Sequence, residues 1–488
     1  MTDWSGGYGT DGFHLGEVLN TLASDPWRHV TFAVTKAHRQ DEPTAELKGF
    51  RFHTHDLSQY SQIWLFGVNR TEDPLSQEEL RALAEFMDNG GGVFATGDHE
   101  NLGQAMCAEV PRVRSMRRWY YPNAGPNGEP VAPEQIGTGR LDTLMDGDPA
   151  APGLQLDQSD KVPQPIEPYL YSRLTGTGVI PRVALFPHPV LCGPEGVIRY
   201  LPDHMHEGLC EVPSNLSATF SFAGYSGAEY PTVNGQQQQP EVIASATTRN
   251  TTGQPFGVLA AYDGHQASVG RVLVDATWHH WFNINLMGFV NATNPAHVTY
   301  DPAVIPKWEA IKAYFRNVAL WLARPGLQNC LRNGGWLVVT GYYDVLISYK
   351  DLRLVNDRLP YFWQIGTFAK DALGRLASRC QTTRWLLDIL EFLPIRLDPW
   401  RVPPRPLPDP PPWLDVNIFE TVALGAAIHN IIDTFGYDKN PEHLVLERGE
   451  EVAAVARKGA QAGVAELVQQ YRKASDFVQR LSVDNIQG

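Results

Sequence analysis

Hydrophobic positions follow two different periods along this chain. Residues 60–68, YSQIWLFGV, form a continuous apolar run with aromatic and branched side chains, which predicts a strand buried on both faces. The period then lengthens to that of a helix. Leu80, Leu83, Ala84 and Met87 share one helical face, Ser76 and Glu79 have the spacing of a capping box, and glycines 90–92 close the segment. Residues 92–96, GVFAT, return to a strand pattern. Strand–helix–strand at this spacing is a βαβ unit and implies a parallel sheet in an α/β layer.

Upstream, residues 15–23 read as helix and residues 30–34, VTFAV, as a short strand. Downstream, PRVALFPH and PEVIAS read as strands. Residues 256–281, FGVLAAYDGHQASVGRVLVDATWHHW, read as a hairpin turning at Asp263-Gly264. Residues 305–322 read as a helix with Ile311, Phe315, Val318 and Leu322 on one face, stopped by Pro325-Gly326. Between these elements, residues 120–180 are rich in Pro, Gly and Asp and form a loop-dominated excursion. The texture changes after residue 324. Residues 325–393 read as a mostly helical extension. Residues 394–412 hold nine prolines in nineteen positions and make a semi-rigid connector. Residues 413–488 read as a helical C-terminal region whose Ile418, Val422, Ile428, Ile431 and Ile432 need a packing partner, within the chain or on a second copy.

Composition narrows the classes. The chain has 488 residues, 43% hydrophobic and 19% charged, with a net charge of -14. That balance suits a globular protein with a sizeable core and argues against a broad nucleic-acid surface. No apolar run is long enough for a membrane span, and the first residues carry no signal-peptide pattern, so a cytoplasmic protein is expected. Five widely spaced cysteines with no CxxC pair point to a reducing compartment and away from a zinc ribbon.

Three stretches carry candidate chemistry. "GDHE", with Asp98, His99 and Glu100, follows the 92–96 strand. "DHMHE" supplies Asp203, His204, His206 and Glu207 within five residues. "TWHHW", with His279, His280 and Trp281, follows the strand RVLVDA. In open α/β sheets, ligands sit outside the carboxyl ends of the strands. Two of these stretches fall at such ends. Five of the fifteen histidines lie in the three stretches. Imidazole beside carboxylate suits either acid–base catalysis or a divalent metal such as Zn, Mn or Fe. Each stretch also has a plainer reading: Asp98 as a helix cap, the paired histidines as packed, hydrogen-bonded core groups. Arg112, Arg114, Arg117 and Arg118 form a cluster suited to a carboxylate or phosphate, or a solvated basic face.

The quoted stretches resemble the class I glutamine amidotransferase-like superfamily, most closely its trehalose-utilisation (ThuA-like) branch, over about residues 10–324. That resemblance implies a flavodoxin-like parallel sheet with helices on both faces. It places the superfamily's nucleophile elbow at residues 97–101, with His99 where glutaminases carry cysteine, so glutaminase activity is not implied. It also maps the branch's "HP…E" pattern onto His188, Pro189 and Glu207, and its strand-end histidine onto "HH". The superfamily's first strand precedes a loop like WSGGYGTDG, which stands at the very start of this sequence, so that strand is expected to be missing or supplied from elsewhere.

Together these features predict a metal-assisted hydrolase or lyase for a small polar, possibly sugar-derived, substrate. His99, Asp98, Glu100 and Glu207 are the expected catalytic groups. His204, His206, His279 and His280 are the expected metal ligands, and Arg112, Arg114, His188 and Trp281 the expected substrate contacts. No nucleotide cofactor and no membrane partner are expected, and a homo-oligomer is. The alternative is a non-catalytic binding or scaffold protein with a degenerate site, assembling through its helical end.

Overall fold

The computed structural model describes residues 1–3, 6–10, 12–24, 32–98, 101–120, 163–175, 182–194, 196–202, 208–247, 255–327, 358–374, 416–436 and 441–484. The chain divides into two compact units. One comprises residues 1–169 and 187–328, and the other residues 170–186 and 329–488.

In chain order the first unit contains α1 (Gly16–Ala23), β1 (Gln62–Phe66), α2 (Gln77–Asp88), β2 (Gly92–Thr96), the short α3 (Gln104–Cys107), β3 (Glu167–Pro168), β4 (Glu241–Thr247), β5 (Pro255–Tyr262), β6 (Val272–Asp275), α4 (Asn283–Thr293) and α5 (Ile305–Leu322). The six strands form one sheet in the order β1-β2-β6-β5-β4-β3. β1, β2 and β6 are parallel. β5, β4 and β3 continue the sheet antiparallel. The expectation of a parallel sheet is therefore corrected to a mixed one. The β5–β6 hairpin, which the sequence announced, is what reverses the direction.

Beyond β1 the sheet continues through isolated parallel bridges. Thr2 bridges both Phe66 and His38. Thr2 N donates to Ala37 O at 3.1 Å, and Phe66 N to Met1 O at 3.0 Å. Residues 1–3 thus lie beside β1, in the place of the first strand that the resemblance implied to be missing or supplied from elsewhere. The described part of VTFAV, residues 32–34, carries no strand; the pairing sits a few residues later, at Ala37 and His38.

Local chemistry explains the elements. Ser76 accepts from Glu79 N and Glu79 reaches back to Ser76 N, completing the capping box of α2. Glu79 is buried because it also takes the Arg39 guanidinium at 2.8 Å. Every residue of β2 and β6 is buried, as expected for strands covered on both faces. α5 packs over β2 and β6 and against α1 and α4. Trp281 lies inside this layer, 4.7 Å from Phe94 and 4.8 Å from Phe315 between ring centroids.

In the second unit, residues Leu170–Thr175 and Arg182–Pro187 pair as a two-stranded ribbon. Among the described residues the helices that follow are α6 (Leu359–Gly374), α7 (Val416–Phe435) and α8 (Pro441–Asp484), the last broken at Arg448. α7 packs against both α6 and α8. Val422, Ile428, Ile431 and Ile432 are buried there together with Phe362, Ile365 and Val452. Small residues permit the close crossing: a Cβ on Gly366 would stand 1.8 Å from Thr421 O, and one on Gly425 1.8 Å from Phe362 O.

Candidate active site at the carboxyl edge

β2 and β6 are neighbours in the sheet and run parallel, so the residues that follow them emerge at the same edge. Their ladder extends one step past the strands, where Trp278 N donates to Gly97 O at 2.8 Å. Asp98 and His279 follow directly on those two residues. His279 Nε2 stands 3.3 Å from Asp98 Oδ2, and both side chains are buried. Asn285, in the first turn of α4, donates from Nδ2 to His279 Nδ1 at 3.1 Å. That bond leaves the ring proton on Nε2, where it donates to the carboxylate. Trp278 stacks flat on the His279 ring at 4.4 Å and 2°. Phe13 packs edge-on against Trp278 and face-to-face on Phe282. This aromatic wall lowers the local dielectric and strengthens the pair's electrostatics.

Asp98 lies just past β2. Its N–H donates to Leu102 O at 3.2 Å, and Gly103 N donates to Asn69 O at 3.0 Å. Three glycines, Gly67, Gly97 and Gly103, pack against one another beside it. A Cβ on Gly67 would stand 2.7 Å from Gly103 Cα, and one on Gly103, at φ 90°, would stand 2.9 Å from Gly97 Cα. Backbone packs on backbone here, which no other residue type allows.

His280 makes a second, separate pair. Its Nδ1 donates to Pro202 O at 2.6 Å, and its Nε2 lies 3.3 Å from Asp275 Oδ1. Asp275, wholly buried at the end of β6, also accepts from Tyr314 OH at 2.9 Å, Trp281 Nε1 at 3.2 Å and Thr277 N at 3.3 Å. Burial, then the Asp275 charge, push the Tyr314 hydroxyl far above its usual range.

The expected site residues therefore separate. Asp98 and His279 meet. His280 instead pairs with Asp275, and Trp281 is a core side chain serving Asp275 rather than a substrate contact. Arg112 and Arg114 are bound elsewhere. Arg112 Nη2 pairs with Asp88 at 2.6 Å and its Nε donates to Glu229 O at 2.8 Å, while Arg114 Nε pairs with Glu229 at 2.9 Å. Asp88 ends α2, just before β2 begins, so this network serves the opposite end of the strand. His188 caps the turn Pro189–Leu191 through its side chain and packs edge-on against Trp321 at 4.7 Å. His99, Glu100, His204, His206 and Glu207 lie outside the described residues.

Sequence reading missed four residues, Asp275, Asn285, Tyr314 and Asp3. Asp275 had a signal, a lone carboxylate closing an apolar strand. Asn285 and Tyr314 had none, because their roles come from helices packed across the strand ends. Arg117, from the arginine cluster, is the member that reaches this edge. Asp3 ends the residue 1–3 segment: its Oδ1 accepts from Val68 N at 2.6 Å and Asn69 N at 3.2 Å, and its buried Oδ2 has no hydrogen-bond partner. Burial raises the Asp3 carboxyl to about 6. Cys107, Cys192 and Cys210 are buried, and among the described residues they form no disulfide.

The Asp98–His279 and Asp275–His280 pairs offer a divalent metal two ligands each, whereas a zinc site takes three or four from the protein. Among the described residues no three His, Cys, Asp or Glu side chains gather to hold a metal. Comparison with family models, curated proteins and solved structures finds no match. Among the described residues no helix is long and apolar enough to cross a membrane.

Proposed function

We propose that this chain is a hydrolase or lyase for a small polar substrate, working by acid–base chemistry at the carboxyl edge of β2 and β6. The observation that carries the reading is the His279 Nε2–Asp98 Oδ2 contact of 3.3 Å across two adjacent parallel strand ends. Asp98 is the proton-transferring group. His279, held by Asn285 and stacked on Trp278, orients the carboxylate through its Nε2–H. A positioned pair of this kind contributes about 10²–10⁴ in rate.

The topological part of the proposal is a flavodoxin-like order. Residues 37–38, residues 1–3, β1, β2 and β6 are read as strands 2-1-3-4-5, supported by the two parallel bridges of Thr2. On that reading the resemblance to the ThuA-like branch of the amidotransferase-like superfamily extends to the elbow after β2. Sugar-derived substrates are then the first to try.

The test is turnover of a panel of aryl glycosides, sugar lactones and sugar acids by the wild type, Asp98→Asn and His279→Gln. Wild-type turnover is expected to fall about 10²-fold or more in Asp98→Asn. No turnover of any member, or equal turnover by Asp98→Asn, contradicts it. One observation favours a second reading, a binding protein: both ring nitrogens of His279 and of His280 already face protein groups. Saturable ligand binding without turnover supports that alternative.

A further inference from the structure

Arg117 is fully buried, and among the described residues its hydrogen bonds all go to backbone carbonyls. Nη2 donates to Asp98 O at 2.6 Å and to Ala276 O at 2.8 Å. Nε donates to Ala276 O at 3.2 Å, and Nη1 to Arg118 O at 3.1 Å. The guanidinium carbon sits 4.3 Å from the centre of the Trp119 ring. Asp98 and Ala276 lie just past the ends of β2 and β6, where their carbonyls take a donor from outside the strands. One planar fork serves both.

The chain holds this side chain in place. Arg118 N donates to Leu209 O at 3.0 Å, Glu211 N to Met116 O at 2.9 Å, and Cys210 N to Gly257 O at 2.9 Å, which docks residues 116–118 onto β5 through residues 209–211. Gly208 leaves the room. A Cβ there would stand 1.9 Å from Ala276 O and 2.7 Å from Arg117 Nη2. Buried, and with four of its five N–H groups bound to backbone carbonyls, Arg117 is not a substrate clamp. It is a fixed cation beside Asp98, with Asp275, Cys107 and Cys210 as its other titratable neighbours, and His280 paired to Asp275.

We infer that Arg117 is the positioning residue of the Asp98–His279 pair: its fork sets the gap between the two strand ends that carry the pair, and its sealed charge holds Asp98 ionised and His279 neutral. The inference rests on the functional reading above, in which that pair does the chemistry.

The experiment is a pH titration of the His279 imidazole by NMR in full-length, histidine-labelled protein. Arg117→Met removes the cation and is expected to raise the His279 midpoint by about one pH unit. Gly208→Ala, which pushes the guanidinium off Ala276 O, is expected to move it in the same direction. Arg117→Lys keeps the charge but loses the fork, and is expected to shift the midpoint by about half a unit. If Arg117→Met does not fold, the other two variants decide. A purely structural arginine would lower the melting temperature and leave the midpoint where it is in the wild type, and that result overturns the inference. The readout does not depend on turnover. A shifted midpoint in a protein without activity would uphold the positioning role and sink the catalytic reading alone.

Discussion

Side chains of the same type do different work a few ångströms apart. His279 and His280 are consecutive, yet one meets Asp98 and an amide, the other a backbone carbonyl and Asp275. Asp3 shows how burial changes a carboxyl's behaviour. Its folded value, about 6, stands above the 3.8 of an ordinary aspartate because burial disfavours the charge. The folded state therefore binds the proton more tightly. The stabilisation this gives is full below about pH 4 and is lost as pH rises through about 6. Two pH units correspond to about 3 kcal/mol. Asparagine can still accept from Val68 and Asn69 but has no proton to lose. Across urea unfolding curves, the stability of Asp3→Asn relative to wild type should climb by about 3 kcal/mol between pH 4 and pH 7. Parallel curves for the two proteins would show that Asp3 keeps its ordinary titration.

Elements were legible where one local pattern governed them. The capping box of α2, the apolar runs of β1 and β2, the β5–β6 hairpin and the stripe of α5 all stand within a residue or two of where periodicity puts them. Local patterns failed where pairing depends on distant chain. VTFAV has strand composition, but the bridge partners of Thr2 are Phe66 and His38. The pairing of β4 onto β5 and of β3 onto β4 was hidden for the same reason, since no window of sequence records which neighbour a strand chooses. At the site, Asp98 and His279 could be named because each follows an apolar strand. Asn285 and Tyr314 could not, because α4 and α5 deliver them from elsewhere in the chain. The arginine cluster was visible as composition. Its division, with Arg112 and Arg114 bound to Asp88 and Glu229 and Arg117 bound to strand-end carbonyls, came only with the fold.

At the scale of the whole molecule, the apolar C-terminal sequence finds its partner within the chain. Phe362, Ile365 and Ala369 of α6 are buried together with α7 and α8 residues. Removing residues 413–488 takes away α7 and α8 and leaves that apolar α6 face without them. The shortened protein should bind an apolar dye and aggregate on concentration, read by fluorescence and light scattering. A shortened protein that stays monodisperse and binds no dye would mean that α6 has a cover other than α7 and α8.

The proton on His279 is the feature on which the functional reading turns. A long-range proton–nitrogen spectrum of histidine-labelled protein reports it directly. The expected spectrum has the proton on Nε2, an unprotonated Nδ1 accepting from Asn285, and a downfield Nε2–H signal that is lost or moves upfield in Asp98→Asn. A proton on Nδ1, or an Nε2–H signal unchanged by Asp98→Asn, would contradict the pair and with it the acid–base site.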